Sequence, residues 1–278
     1  SDWSSDVCSS DLNKLRQKTG AGMMDCKKAL EEANGDFELA IELLRKKGAK
    51  IAANRQDRDA KEGLVLAKVS EDAKRAVLVV VNCETDFVAK NEEFQQFANT
   101  IAQIALDNAP TSIDTLKSQP FNSDITISDK LLEQMGKIGE KIDVSYFESV
   151  SAATVVGYNH PGNRLACIVG FSKTVAADVA KDVAMQVASM NPVSIDKDDV
   201  DPKILERELE IARETTRQEG KPENMIEKIA LGKLNKFYAE CTLLNQEFIK
   251  DGKLNIRQYL EQVDKELKVT AFKRFSLM

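Results

Sequence analysis

Histidine is almost absent from this chain of 278 residues, in which His160 is the only one. A serine or cysteine nucleophile commonly needs a histidine base, so any such site would have to use His160. The five cysteines are widely spaced and form no C-x-x-C pair: Cys8, Cys26, Cys83, Cys167 and Cys241. An odd, scattered set argues against a disulfide framework or a zinc site. We therefore expect neither a metal nor any other cofactor.

Long apolar runs are also missing. No stretch approaches the roughly 20 residues that span a bilayer, and the first residues lack the basic start and apolar stretch of a secretory signal. Together with the reduced thiols, this predicts a cytoplasmic protein that does not bind a membrane. The net charge is −6. Because no aromatic residues interleave the basic clusters Lys27-Lys28 and Arg45-Lys46-Lys47, we expect no direct binding of nucleic acid.

The sequence also lacks a complete nucleotide-binding motif. Gly20-Ala21-Gly22 opens like a G-x-G-x-x-G loop, but Asp25 takes the place of the third glycine, and a helix rather than a strand precedes it. No G-x-x-x-x-G-K-[ST] string occurs. A thiol-dependent enzyme that uses Cys83 and His160 stays as an alternative, although a buried thiol and a turn histidine are the favoured interpretation.

The first twelve residues form a Ser/Asp-rich patch that contains Trp3, the one tryptophan. They give no amphipathic pattern that leads into the helical signal at Leu15. We expect residues 1–12 to be a foreign leader and exclude them from the fold prediction.

The sequence predicts that residues 13–50 form a module of three short helices. Gly20-Ala21-Gly22 ends the first helix, and apolar residues then recur at helical spacing: Met23, Cys26, Leu30 and Ala33. Gly35 suits a left-handed helix end and Asp36 an N-cap before a third helix. That helix should bury Phe37, Ala40, Ile41 and Leu44. The module resembles the ubiquitin-associated type, and residues 51–62 are expected to be a linker.

The following segment repeats one pattern: a β-hairpin, a helix, a second helix and a strand. This predicts an α+β fold with a duplicated core of two subdomains, in which helices cover antiparallel sheets. The predicted N-subdomain covers residues 63–151, and the C-subdomain covers 152–191 and 241–278. Residues 192–240 are predicted to be an inserted antiparallel hairpin of two helices, because Pro202, Gly220 and Pro222 punctuate the segment.

Two pairs of adjacent side chains stand out as candidates for binding. Met23 fits the apolar face of its helix. Met24 either points to solvent or a partner, or packs against the first helix, and these two interpretations are equally favoured. Asp86-Phe87 lies between a strand and a helix. Its ring either staples this loop to the core or projects as an anchor for a partner, and these residues alone favour stapling.

Two strings, LRQKTGAGMMDCKKAL from Leu15 and VNCETDFVAK from Val81, closely resemble the elongation factor Ts family. The turn HPGNRL from His160 and the joint GKP from Gly220 are similar to further family motifs. The resemblance runs from about Leu15 to Phe275. It implies a guanine-nucleotide exchange factor that acts on elongation factor Tu without covalent chemistry, and is therefore not an enzyme in that sense.

The resemblance also implies roles for residues. Thr85, Asp86, Phe87 and Val88 would enter the G domain of elongation factor Tu and dislocate its magnesium site. Partner contacts are further implied for Arg16, Gly22, Met23 and Met24 on the first module and for His160 and Gly162 in the turn. The helical hairpin would contact the same partner or a second copy of the chain, and a homodimer would form through the core or the hairpin.

Departures from the family pattern are few. Asn13 stands where a basic residue is common, and the sequence stops at Met278 without the C-terminal helix of longer members, so we expect a lower affinity. The alternative function is a non-catalytic interaction protein, in which the ubiquitin-associated-like module binds nascent chains or a scaffold.

Overall fold

The computed structural model describes residues 9–278, so Trp3 and Cys8 lie outside the described residues. The chain opens with three helices: α1 (Ser9–Thr19), α2 (Met23–Glu32) and α3 (Phe37–Asn54). Gly35 has φ 84°, and the Asp36 side chain accepts a hydrogen bond from Leu39 N at 3.0 Å, so the predicted helix end and N-cap are confirmed. α3 continues to Asn54, into the segment predicted as a linker.

The core of this module is small, and its buried residues are Leu15, Cys26, Ala29, Leu30, Ala33, Ala40, Ile41 and Leu44. Leu12 packs partly against it, so residues 9–12, which lie outside the predicted module, belong to α1. The prediction that residues 1–12 are a foreign leader stays a prediction.

The placement of Met23 on the apolar face is wrong. Met23 is 49% exposed and Met24 is 63% exposed, so of the two interpretations of Met24 the structure favours the one in which it points to solvent or a partner. Helical side chains tilt toward the N-terminus. Because Met23 is the first residue of α2, no preceding turn of that helix covers its side chain.

The first half of the core is an antiparallel sheet of β1 (Glu62–Val69), β2 (Arg75–Cys83) and β3 (Asp143–Ser151), in that spatial order. Four helices accompany it: α4 (Asp86–Ala89), α5 (Glu92–Asn108), α6 (Ile113–Ser118) and α7 (Ile127–Ile138). Alternate residues of a strand face opposite sides. Leu66 and its partner Val79 therefore face the helices, whereas Val65 and Leu78 face away from them.

The second half repeats this plan. β4 (Thr154–Asn159), β5 (Leu165–Phe171) and β8 (Val269–Ser276) form an antiparallel sheet in the order β4-β5-β8. The covering helices are α8 (Ala177–Met190) and α11 (Ile256–Val263), and a small hairpin of β6 (Glu247–Phe248) and β7 (Asp251–Asn255) precedes α11. The predicted α+β class with a duplicated core is confirmed; the β6–β7 hairpin and α6 were not predicted.

The two sheets pack face to face through the sides that the helices leave open. Val65, Leu78, Val80, Ala166 and Ile168 are fully buried in this shared layer. Polar bonds also cross it at the sheet edges: Val65 N donates to Asn163 O at 2.7 Å, and the Asn159 amide exchanges two bonds with the backbone of Ala67. Each half thus keeps its own apolar cluster, and a third cluster between the sheets joins the halves.

The predicted helical hairpin consists of α9 (Pro202–Gln218) and α10 (Glu223–Cys241). Buried Ala212, Thr216, Ile226 and Ala230 line the contact between the two helices. Pro222 is the N-cap rather than the first residue of α10. The two ends of the hairpin meet at the core, where Val193 N donates to Cys241 O at 2.8 Å.

No helix formed by residues 9–278 combines the length and apolar character needed to span a membrane.

We predict that Ile168→Ala lowers the free energy of unfolding by about 2–5 kcal/mol, because it leaves a cavity between the two sheets. Urea unfolding followed by circular dichroism measures this loss. The matched control is Ile249→Ala, since Ile249 is 42% exposed. An equal loss of unfolding free energy for both variants would contradict the buried apolar layer between the sheets.

Candidate functional site

Phe87 lies on α4, a single helical turn between β2 and α5, and its side chain is 81% exposed. The interpretation that the ring staples the loop to the core is therefore wrong. Its neighbours explain why the ring points outward. Val88 packs partly against the core and Ala89 is buried, so the one inward-facing side of this short helix is already taken.

The Glu140 carboxylate holds the backbone that leads into α4. One of its oxygens accepts hydrogen bonds from Glu84 N at 3.0 Å and Thr85 N at 3.1 Å, and the other accepts from Thr85 Oγ1 at 2.7 Å. Thr85 is also the N-cap of α4, because its hydroxyl accepts from Val88 N at 3.4 Å. Thr85 and Val88 thus fix the turn, while Asp86 and Phe87 are presented on it.

The Glu84 carboxylate adds a second set of bonds to the same loop. It accepts from Lys141 N at 2.7 Å and from the guanidinium groups of Arg55 at 2.8 Å and Arg58 at 3.2 Å. Burial raises the pKa of Glu84, but these bonds outweigh that effect and hold its pKa below the ordinary value of 4.5. The loop before Phe87 is therefore tied to the chain that follows α3 and to the chain that follows α7.

Asp86 carries the one charge directly beside the ring. Its carboxylate accepts a hydrogen bond from Lys90 Nζ at 2.7 Å, one helical turn away, and this bond lowers the pKa of Asp86. Both side chains are solvated, so the pair adds little stability. Asp86 is free to exchange this partner for another.

The module residues singled out from the sequence are exposed. Arg16, Gly22, Met23 and Met24 all face solvent. Arg16 and Gly22 line a groove of about 560 Å³ together with Glu93, in the first turn of α5, and Lys137, near the end of α7. Since α5 follows α4 directly, the fold brings Arg16 and Gly22 close to the start of the helix that follows Phe87.

His160 and Gly162 lie in the turn between β4 and β5, where Gly162 has φ 90° and Asn163 φ 54°. His160 is exposed, and its Nδ1 lies 3.0 Å from the Tyr158 hydroxyl. Arg164, after this turn, forms an ion pair with Glu62. In the antiparallel register of β1 and β2, Glu62 lies opposite Cys83. The turn therefore lies at the same end of the stacked sheets as the loop that carries Phe87.

The thiol-dependent alternative fails on geometry. Cys83 is fully buried, and its thiol donates to Thr85 O at 3.2 Å rather than to an imidazole. Burial and the charges of Glu140 and Glu62 raise its pKa to about 12, so the thiol is protonated at neutral pH and is a poor nucleophile. Within residues 9–278, no group of three or more His, Cys, Asp or Glu side chains is arranged to hold a metal ion.

Sequence reasoning missed the residues that hold the site. Glu84, Glu140, Arg55 and Arg58 act on one loop from three separate segments of the chain. No local spacing relates these segments, so no motif search finds them. Only Glu84 lies within a string that the sequence singled out, the one that begins at Val81.

Comparison with known proteins agrees with this architecture. A sequence profile described as Elongation factor TS matches residues 84–278, more than half of the chain. The chain belongs to the elongation factor Ts family. Family membership makes it a translation elongation factor that takes part in protein biosynthesis.

Relatives in the family cover nearly the whole chain. An elongation factor Ts of Christiangramia forsetii is 50% identical over 273 residues, 98% of each chain. One of Amoebophilus asiaticus is 51% identical over 271 residues, 96% of this chain and 98% of the relative. One of Porphyromonas gingivalis is 47% identical over 267 residues, 96% of this chain and 97% of the relative. The similarity thus extends beyond the residues that the profile matches.

The Glu84 bonds predict a pH dependence of stability. Because the folded-state pKa of Glu84 is lowered, its contribution is complete above the unfolded value of 4.5 and is lost as the pH falls through the folded value. We predict that Glu84→Gln lowers the free energy of unfolding by about 1–3 kcal/mol at pH 7. This difference from the wild type should shrink at about pH 3.5.

Urea unfolding at both pH values measures the effect. Glu71→Gln, at an exposed glutamate in the turn between β1 and β2, is the control and should change little at either pH. A difference for Glu84→Gln that is the same at both pH values would show that the carboxylate charge is not what holds the loop.

Proposed function

We propose that this chain binds elongation factor Tu in its GDP form and accelerates GDP release by disturbing the magnesium and phosphate site. The observation that carries the proposal is the Phe87 ring, 81% exposed on a turn that Glu140 and Glu84 hold in place. The ring acts as a wedge between helices of the partner's G domain. Thr85 and Val88 keep it in position, and Asp86 lies beside it.

The physical basis is the way in which a GTPase holds its nucleotide. A phosphate-binding loop and a magnesium ion neutralise the charge of the phosphates in a fixed geometry. Such electrostatic contacts weaken strongly when the groups are displaced by a small distance. A ring that separates the supporting helices therefore raises the rate of GDP release without any bond being made or broken.

Preorganisation of the ring supports this mechanism. A flexible loop would lose conformational entropy on binding, and this loss would reduce the affinity. The hydrogen bonds of Glu140 to Glu84 N, Thr85 N and Thr85 Oγ1 fix the loop before the partner arrives. More of the binding free energy is then available to displace the partner's helices.

Two further surfaces would hold the partner while the ring acts. Arg16, Gly22, Met23 and Met24 supply a second contact with the G domain. Methionine side chains adapt their shape to a partner surface. The turn with His160 and Gly162 contacts a surface of elongation factor Tu outside the G domain. All three exposed regions lie on this chain's own surface and require no cofactor.

Thermodynamic linkage makes the process reversible. If this chain weakens the binding of GDP by some factor, GDP weakens the binding of this chain by the same factor. Incoming GTP or GDP therefore expels the exchange factor and releases it for another round. The chain acts as a catalyst of exchange without a nucleophile or an acid–base pair.

We predict that Phe87→Ala slows stimulated GDP release by at least about tenfold, because a few aromatic residues carry much of the energy of an interface. Stopped-flow release of a fluorescent GDP analogue from elongation factor Tu measures the rate. Since Phe87 is exposed, the variant should keep the melting temperature of the wild type.

The control is Val263→Ala, which truncates another exposed apolar side chain, at the end of α11, and should leave the release rate unchanged. An unaltered rate for Phe87→Ala would rule out the wedge. Binding of the wild-type chain to elongation factor Tu without faster release would instead favour the non-catalytic interaction protein.

A further inference from the structure

The helices α3 and α7 cross at two glycines, and this crossing joins the module to the core. Gly48 is buried in the interior of α3, where glycine costs about 1 kcal/mol relative to alanine. Its φ is not positive, so the backbone conformation does not require glycine there. The close approach of the two helices supplies the reason.

The structure leaves no room for a side chain at position 48. A Cβ atom there would lie 2.8 Å from Leu132 C and closer still to Leu132 O, in the backbone of α7. Because backbone atoms of a helix cannot rotate away, any larger residue must push the helices apart. On the facing helix, a Cβ atom at Gly136 would lie 3.4 Å from Gly48 Cα, which is at the tight limit of van der Waals contact.

Both crossing helices lead directly to the loop that carries Phe87. Arg55, the residue that caps the C-terminus of α3, binds the Glu84 carboxylate, and Arg58 follows shortly after it. α7 ends at its cap Gly139, and the next residue is Glu140, which binds Thr85. The spacing of the two helices therefore sets the spacing of the groups that hold the loop.

The same crossing sets the position of the module. α1 and α2 pack on the first half of α3, through Ala40, Ile41 and Leu44. Near the end of α7, Lys137 lines the groove with Arg16 and Gly22. One contact thus governs both the module surface and the loop before α4.

We propose that Gly48 is a positioning residue, which keeps the Phe87 loop and the surface of Arg16, Met23 and Met24 in a fixed relation through the close crossing of α3 and α7. The part of this inference that concerns nucleotide exchange rests on the proposed function. The part that concerns the loop does not, and it is tested on the free protein.

The test is Gly48→Ala, followed by amide hydrogen exchange of the uncomplexed chain. We expect the amides of Glu84 and Thr85 to exchange about tenfold faster than in the wild type, because their bonds to Glu140 are loosened. Amides of β5 and α10 should keep their protection. A glycine that served only general stability would alter protection everywhere or nowhere, so unchanged exchange at Glu84 and Thr85 overturns the proposal.

Gly232→Ala is the matched control. Gly232 also lies inside a helix, α10, but a Cβ atom there meets open space. This variant should leave the Glu84 and Thr85 amides unchanged and keep or raise the melting temperature. The same acceleration in Gly232→Ala as in Gly48→Ala would show that the effect does not come from the crossing.

Gly136→Ala decides the question if Gly48→Ala does not fold. Its added Cβ atom would lie 3.4 Å from Gly48 Cα, at the tight limit of van der Waals contact, so the variant should fold with the two helices moved slightly apart and with amide exchange at Glu84 and Thr85 about two- to threefold faster. Amide exchange at Glu84 and Thr85 that equals the rate in Gly232→Ala would overturn the proposal. If a glycine variant loosens the loop but GDP release stays at the wild-type rate, the positioning role stands for the loop, and its extension to nucleotide exchange is contradicted.

Discussion

The Glu140 carboxylate accepts three hydrogen bonds from two consecutive residues, Glu84 and Thr85, and the orientation of Phe87 depends on them. An unsupported aromatic ring next to an apolar core would fold back onto it, because burial of the ring is favourable. The bonds prevent this by fixing the backbone before α4, and buried Ala89 occupies the inward side of the turn. The hydrogen bonds of Glu140 thus keep the apolar ring of Phe87 exposed to water.

The duplicated sheets explain why several exposed regions lie at one end of the molecule. Each sheet is a hairpin with a third strand beside its second one, and the sheets stack through Val65, Leu78 and Ile168. The end of β2 leads to Phe87, and the β4–β5 turn carries His160 beside the start of β1. The stacking of two similar halves therefore assembles a surface that neither half has alone.

Local chemistry made much of this fold predictable. Gly35, Asp36 and the prolines of the hairpin mark helix boundaries through backbone geometry, and the hairpins follow from β-rich runs. The exposure of Met23 and Phe87 was not predictable from periodicity, since both depend on where a small bundle or a single turn ends. The bonds of Glu140 and the crossing at Gly48 join segments far apart in the sequence, so no local pattern contains them.

The helical hairpin leaves the core and returns to it side by side, where Val193 N donates to Cys241 O and Leu243 N donates to Ser194 O. Its helices bury Ala212, Ile226 and Ala230 against each other rather than in the sheets. Doubling the length of such a loop adds only about 0.6 kcal/mol of closure entropy. Evolution can therefore lengthen, trim or replace this projection as a separate appendage, while the strands on either side keep their registers.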